Sequence, residues 1–262
     1  MTDLIERFPV QRITDEGKKD VEDMVTREQP LTIILNNCEL VTLLCSPHGL
    51  NYLAIGFLFS EGLIKSKDEI KKVIVDERRG VVRVETTGDT ESASDDIFKR
   101  VITSGCGGAG SLHRMADMQN LAKVQSHTRV SAQEVFDLVR GFQHHSQTFK
   151  ATGGVHSAAL CDTKNIILFA DDIGRHNALD KVFGECIVKD IPTEDRIILT
   201  SGRIPSEILL KVAKRRIPII ISVSAPTDLG VKLAADAGIT LIGFVRGKKM
   251  NVYTNSWRVV AE

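Results

Sequence analysis

The chain has no excess of charge of either sign, because its 262 residues include 34 Lys and Arg against 34 Asp and Glu. A general affinity for nucleic acid is therefore not indicated, and any anion site must be a local group of basic residues. The chain also lacks a long apolar run. The longest, such as residues 217–223, have the length of a strand and are too short to cross a membrane.

Signs of export are missing as well. The start, M-T-D-L-I-E-R-F-P-V, does not combine a basic segment with an apolar one as signal peptides do. Five cysteines, an odd number without paired spacing, argue against a disulfide framework. We therefore expect a reducing, cytoplasmic location, with Cys38, Cys45, Cys161 and Cys186 buried as small apolar residues.

The fifth cysteine, Cys106, has different surroundings. It stands among glycines in V-I-T-S-G-C-G-G-A-G-S, residues 101–111. Glycine adds no side-chain bulk, so this pattern is typical of an exposed thiol on a loop. Such a thiol would act as a nucleophile or a sulfur carrier if the basic residues His113 and Arg114 favoured its thiolate. The spacing alone supports an incidental cysteine in a flexible turn equally well.

The same stretch also fits the dinucleotide fingerprint G-x-G-x-x-G. That fingerprint requires an acidic residue about 20 positions further on, at the end of the next strand. The chain reads A-K-V-Q-S-H-T-R-V there, with no acid and no clear apolar strand. A dinucleotide site at this position is therefore not favoured.

The first part of the chain predicts hairpins and helices. Residues 1–30 are polar and predict an extended lead-in. Asn36-Asn37 separates two β-rich runs, and an apolar helix follows over residues 50–63. A second hairpin follows at residues 72–86.

A soft boundary near residue 125 divides the chain. Residues 1–125 form an N-terminal hairpin and helix subdomain that carries the Cys106 loop. Residues 126–262 alternate helix and strand patterns and form an α/β domain. Near-continuous apolar runs such as I-P-I-I-I-S-V predict a buried, largely parallel sheet that is covered by helices.

Four predicted strands of this domain end in small, hydroxyl-bearing or basic residues. The sequences that follow them are D-D-I-G-R-H-N, T-S-G-R, S-A-P-T and V-R-G-K-K. In open α/β sheets ligands bind beyond the carboxyl ends of the strands. Arg175, Arg203 and Arg246 offer guanidinium groups suited to phosphate. Lys248 and Lys249 add positive charge. Helix capping explains any single loop, but four together favour an anion site.

Two histidines near these strand ends have a structural alternative. His156 and His176 could each bond a nearby carboxylate or backbone group without a catalytic role. Asp171 and Asp172 could orient Arg175 or cap the following helix. No metal site is predicted, because a zinc deaminase on a similar sheet would need H-x-E and P-C-x-x-C, and the chain has no P-C-x-x-C.

Several motifs in order resemble one known family. They are G-F-L-F-S-E-G-L-I (56–64), T-S-G-C-G (103–107), G-G-V-H-S-A-A-L (153–160), D-D-I-G-R-H-N-A-L-D-K (171–181), T-S-G-R (200–203), S-A-P-T (224–227) and G-F-V-R-G (243–247). The chain resembles the formate dehydrogenase accessory proteins of the FdhD/NarQ family from about residue 30 onward. The motifs are specific together, although none would be alone.

The resemblance implies a three-layer α/β/α core like that of cytidine deaminases, without their zinc site. It implies that Cys106 receives a persulfide from a cysteine desulfurase. The sulfur would then pass to molybdenum in the bis(molybdopterin guanine dinucleotide) cofactor before its insertion into formate dehydrogenase. The resemblance also implies a homodimer.

The resemblance places the cofactor at one of the strand ends described above. The residues concerned are Phe244, Val245, Arg246, Gly247, Lys248 and Lys249, with help from Arg203 and His176.

One departure from the family pattern affects the mechanism. Many members have C-G-x-C in the loop, whereas Ala109 stands at the second cysteine position here. A disulfide or thiol relay within the loop is excluded, but one thiolate is sufficient to accept and release sulfane sulfur. The favoured hypothesis is a sulfurtransferase, and the alternative is a non-catalytic chaperone that binds the cofactor.

Overall fold

The structure is a computed structural model that describes residues 4–88 and 122–260, so the Cys106 loop lies outside the described residues. The strands are β1 (Ile5–Thr14), β2 (Gly17–Thr26), β3 (Gln29–Leu35), β4 (Cys38–Cys45), β5 (Ile70–Asp76), β6 (Val81–Thr86), β7 (Val130–Ser131), β8 (His156–Cys161), β9 (Ile166–Asp172), β10 (Ile197–Thr200), β11 (Ile219–Ser222), β12 (Thr240–Arg246), β13 (Lys249–Val252) and β14 (Val259–Val260). The helices are α1 (Leu50–Ser60), α2 (Ala132–His145), α3 (Gln147–Thr152), α4 (Arg175–Val188), α5 (Ser206–Lys214) and α6 (Asp228–Asp236), and single 3-10 turns cover Lys67–Glu69 and Ser256–Arg258.

The first two strands form a long antiparallel ribbon, so the predicted extended lead-in is wrong. β1 pairs with β2 from Ile5 opposite Thr26 to Thr14 opposite Gly17. Gly17, with a φ of 126°, closes the turn in a conformation that favours glycine. Nearly all of the ribbon is exposed on both faces. A strand without a buried face has no alternation of apolar and polar residues, which is the pattern that indicates strands.

The next four strands form a sheet in the order β4-β3-β6-β5. Asn36 and Asn37, both at positive φ, make the tight turn between β3 and β4, as predicted. The buried side chains of this sheet, among them Leu31 and Val82, pack with apolar residues of α1 such as Leu53. The core of the N-terminal half is thus formed mainly by one sheet and one helix, and Ile187 of α4 completes it.

The second sheet has the order β13-β12-β11-β10-β8-β9. β10, β11 and β12 are parallel, but β8 is antiparallel to both β10 and β9, and β13 is antiparallel to β12. The prediction of a largely parallel sheet is therefore wrong. β8 and β9 form a hairpin because Asp162 accepts hydrogen bonds from the backbone N–H groups of Lys164 and Asn165, which closes a tight turn.

Helices cover both faces of this sheet. On one face Val135 and Phe142 of α2 pack against alternate strand residues such as Leu199. On the other face Ile198 packs with residues of α4, α5 and α6, such as Phe183. None of the helices within residues 4–88 and 122–260 is long and apolar enough to cross a membrane.

Helices α1 and α4 join the two sheets through a pair of glycines. A Cβ on Gly56 would lie 1.9 Å from the Asp180 carbonyl oxygen, and a Cβ on Gly184 would lie 1.9 Å from that of Tyr52. The two backbones therefore touch, and this contact crosses the predicted boundary near residue 125. The division into 1–125 and 126–262 stays a prediction.

A buried ion pair fixes the same junction. The Asp172 carboxylate lies 2.7 Å from Lys181 Nζ, and the two side chains are 0% and 2% exposed. Asp172 also accepts a hydrogen bond from the backbone N–H of Ser46 at 3.1 Å, and Lys181 donates to the Ser46 carbonyl at 3.3 Å. Both backbone groups of Ser46, which follows β4, are thereby held at the start of α4.

We expect Gly56→Ala to lower the free energy of unfolding by about 3 kcal/mol, because the new methyl group would push α1 away from α4. Gly141→Ala is the matched control. Gly141 is an exposed residue of α2, and its Cβ would meet only Ile166 Cδ1, at 4.0 Å. It should raise the free energy by about 0.5–1 kcal/mol through helix propensity. Urea denaturation measures both, and equal effects would contradict the close contact.

We expect Lys181→Met to lower the free energy of unfolding by about 3–5 kcal/mol, because it leaves the Asp172 carboxylate buried without its cation. Lys232→Met removes an exposed pair with Asp228 at 3.4 Å and should cost about 0–1 kcal/mol. Thermal and urea unfolding of both variants test this difference. A loss below about 1 kcal/mol in Lys181→Met would show that the buried pair does not hold the junction.

Candidate functional site

The carboxyl ends of four strands meet at one edge of the second sheet, as predicted. β9 and β10 are both antiparallel to β8, so they run in the same direction as β11 and β12. The segments that follow these strands are Ile173–Gly174, residues 201–205, residues 223–227 and the turn between β12 and β13. We call this set of segments the strand-end edge.

Hydrogen bonds connect neighbouring segments of the strand-end edge. Ser222 Oγ donates to the Gly202 carbonyl oxygen at 2.7 Å. The backbone N–H of Ile204 donates to the Ala225 carbonyl, and that of Phe244 donates to the Ser224 carbonyl at 3.1 Å. These bonds join the segment after β10 to the segment after β11, and that segment to the end of β12. The backbone groups of all three are therefore held in fixed positions.

Phe244 has an unusual backbone conformation at this edge. Its φ is 53°, in the left-handed region, and it lies in a bulge of β12 between Gly243 and Arg246. The ring is 38% exposed. The Arg246 guanidinium carbon lies 5.6 Å from the centre of that ring, a cation–π distance. The bulge thus presents an aromatic face and a cation together.

The turn after Phe244 exposes most of the predicted cofactor segment. Arg246 pairs with Lys249 across the β12–β13 hairpin, and Gly247 turns the chain with a φ of 58°. Arg246, Lys248 and Lys249 are exposed, so their cationic groups are available to an anion. Val245 is only 1% exposed and belongs to the core, so it can offer a ligand only its backbone.

Arg203 and His176 lie on other segments of the edge. Arg203 is exposed after β10. His176, in the first turn of α4, is half-buried, and its Nε2 lies 3.1 Å from a carboxylate oxygen of Glu207. This contact matches the structural alternative for His176. Gly202 packs tightly on the side chain of Arg175, because a Cβ there would lie 3.0 Å from Arg175 Cβ.

The two aspartates that end β9 have separate partners. Asp172 accepts hydrogen bonds from the Gly174 N–H and from the Asn177 side chain, each at 2.9 Å, and so holds the segment that leads into α4. Asp171 accepts hydrogen bonds from the hydroxyl groups of Ser146 and Ser157, each at 2.5 Å. Burial raises the pKa of Asp171.

Sequence reasoning missed a histidine beside this edge. His48 lies near the buried Lys181, and burial, with that cation, lowers its pKa to about 4. His156, which the sequence predicts to lie near these strand ends, has its Nδ1 3.1 Å from Ser201 Oγ. Burial, then Arg175 and His176, lowers the pKa of His156. No sequence motif marks His48, because its neighbour Lys181 belongs to α4, which is far away along the chain.

Three of the four described cysteines are poor nucleophiles, because burial raises the pKa of their thiols. Burial, with Asp172 nearby, raises the pKa of Cys45 to about 12. Burial, reinforced by Asp162, raises the pKa of Cys161 to about 12. Burial also raises the pKa of Cys186 to about 11. These three are buried as predicted, but Cys38 is only half-buried, because the turn between β3 and β4 leaves it near the surface.

Comparison with known proteins agrees with the motifs. The sequence model of the FdhD/NarQ family matches residues 26–260. The chain is 45% identical over 237 residues to the sulfur carrier protein FdhD of Bacillus pumilus, which covers 90% of each chain. It is 45% identical over 239 residues to the protein of that name from Bacillus subtilis, which covers 91% of each.

The fold also has a solved counterpart. A crystal structure from Desulfotalea psychrophila, assigned as a formate dehydrogenase accessory protein, superposes with a TM-score of 0.82. The match covers 98% of this chain and 100% of the other, at 26% identity. Motifs, full-length sequence similarity and fold thus agree, and the chain belongs to the FdhD/NarQ family.

Proposed function

We propose that this protein is a sulfur carrier that loads a persulfide on Cys106 and delivers the sulfur to the molybdenum cofactor of formate dehydrogenase. Relatives at 45% identity are named sulfur carrier proteins, and the solved counterpart is assigned as a formate dehydrogenase accessory protein. Both names support a role in the maturation of that enzyme.

The choice of Cys106 rests on the state of the other thiols. A thiolate is the reactive form, and burial keeps the thiols of Cys45, Cys161 and Cys186 protonated at neutral pH. Cys38 is half-buried at a hairpin turn, with its Sγ 3.8 Å from the Glu39 carbonyl oxygen. Cys106 remains, and the glycines beside it in the sequence add no side-chain bulk. This elimination is the observation that carries the proposal.

The chemistry needs one thiolate in each step. The Cys106 thiolate attacks the outer sulfur of a persulfide on a cysteine desulfurase. A new S–S bond forms, the donor's S–S bond breaks, and the donor cysteine leaves as a thiolate. The terminal sulfur then passes to Mo(IV), which supplies two electrons and becomes Mo(VI), while Cys106 leaves as a thiolate. Ala109 therefore does not prevent transfer.

The strand-end edge is the proposed binding site for the guanine nucleotides of the cofactor, which is the cargo. Arg203, Arg246 and Lys248 are exposed cations suited to phosphate groups. Lys249 adds a further charge, and the ring of Phe244 offers a surface on which a base can stack. His176 would contribute to this site while its Nε2 lies 3.1 Å from the Glu207 carboxylate, which gives it a mainly structural role.

The core is proposed to be of the cytidine-deaminase type, with helices on both faces of the second sheet in support. A cysteine desulfurase is the proposed donor, formate dehydrogenase the acceptor, and a homodimer in the cytoplasm the working form. The enzyme class that follows is a sulfurtransferase.

We expect wild-type protein incubated with a cysteine desulfurase and free cysteine to gain one sulfur atom that a reductant removes. Cys106→Ala should lose this gain completely, because Cys45, Cys161 and Cys186 are buried and Cys38 is half-buried. Cys38→Ala is the control and should retain it. Intact mass spectrometry measures the gain. A gain that persists in Cys106→Ala would overturn the carrier role of Cys106.

We expect Arg246→Ala to weaken binding of guanosine diphosphate about tenfold, since it removes a charged contact with phosphate and the cation beside the Phe244 ring. Lys232→Ala, an exposed lysine of α6 that pairs with Asp228, should leave binding unchanged. Calorimetry measures both affinities. Nucleotide binding without any sulfur loading would instead favour the cofactor-binding chaperone, which the missing second cysteine also motivates.

A further inference from the structure

A cavity lies at the end of the second sheet opposite to the strand-end edge, where β10 and β11 begin. Its volume is about 420 Å³, and residues that follow α4 and the last residues of α5 line it together with Phe59 of α1. A volume of roughly 300–1,000 Å³ is typical of small-molecule sites. We call this cavity the basal groove. It shares no lining residue with the strand-end edge.

The basal groove is strongly cationic. Five Lys and Arg side chains line it against two carboxylates, which leaves an excess of three positive charges. Lys67 forms an ion pair with Asp190. The C-termini of α4 and α5 face this end and contribute partial negative charges of about half a unit each. That contribution is smaller than the excess of positive charge, so the groove favours an anion.

Arg215 is the most confined of these cations. Its guanidinium carbon lies 5.0 Å from the centre of the Phe59 ring. Burial lowers its pKa, which means that the surroundings disfavour the charged form. Its Nε is buried and has no hydrogen-bond partner among the described residues. A bound anion would supply the missing acceptor and offset the cost of burying the charge.

Two residues at the rim hold a backbone conformation that suits glycine. Arg216, directly after the last turn of α5, has a φ of 54°, and Asp190, after α4, has a φ of 53°. Glycine is the usual residue at this position after a helix. At each position a charged residue adopts a backbone conformation that costs glycine less free energy, and both residues line the groove. A strained charged residue at a cavity points to a functional constraint.

We propose that the basal groove binds a small organic phosphate. Arg215 and Arg216 would bind the phosphate group, because guanidinium groups match its oxygens in pairs. Phe59, Ile191 and Pro192 form an apolar wall for the organic part. The concave shape and the confined Arg215 favour a small ligand over an acidic surface of a protein partner.

The experiment compares two glycine substitutions in the full chain. Arg216→Gly and Asp190→Gly both relieve a positive φ, so each should keep or raise the thermal midpoint. The two substitutions differ in the charge that they remove, which is positive at Arg216 and negative at Asp190. Arg216→Gly should weaken binding of adenosine monophosphate and of pyrophosphate at least fivefold in calorimetry. Asp190→Gly should keep or strengthen it, because it removes a competing carboxylate.

Lys248→Ala, at the strand-end edge, serves as the control for phosphate that binds there. It should leave the binding event that depends on Arg216 unchanged. The inference is overturned if adenosine monophosphate does not bind to the wild type, or if Lys248→Ala abolishes binding while Arg216→Gly does not. Binding of a cysteine desulfurase that requires Arg216, without binding of either probe, would also overturn it and would identify a protein-docking surface.

Discussion

The buried pair of Asp172 and Lys181 is the interaction on which the arrangement of this molecule depends. It lies where β9 ends, α4 begins and the chain leaves β4, and it holds both backbone groups of Ser46. Breaking such a pair leaves a charge without compensation in a dry interior. The pair therefore does more to select one geometry than to add stability, and that geometry places the N-terminal sheet beside the strand-end edge.

The contacts around α4 extend this frame through the molecule. Asp180 binds Lys211 of α5 at 2.5 Å and Ser60 at the end of α1 at 2.7 Å, and all three side chains are buried. The N-terminal half is thus joined to α4 through Ser46 near the start of that helix and through Ser60 near its middle. Lys211 joins α5 to α4 at the same residue as Ser60. When an anion binds to cations on such a frame, their backbone loses little freedom, because the structure has already fixed it.

The sequence predicts what depends on neighbours in the chain. Asn36-Asn37 predicts its hairpin, because turn chemistry is local. The strand-end edge is also predictable, since it needs only the direction of each strand. The bond between Ser46 and Asp172 joins residues 126 positions apart and has no local signal. The predicted strand direction is wrong at β8, which is antiparallel to both of its neighbours, because a short apolar run does not reveal its partner.

The glycine contact between α1 and α4 has a consequence for how the sequence can change over time. Gly56 and Gly184 each lie against the other helix's backbone, so neither can gain a side chain while its neighbour stays in place. A larger residue at one position cannot be offset by a smaller one at the other, since glycine is already the smallest. Each position is therefore closed to any side chain as long as α1 and α4 keep their present spacing, and a substitution at either one requires the two helices to move apart.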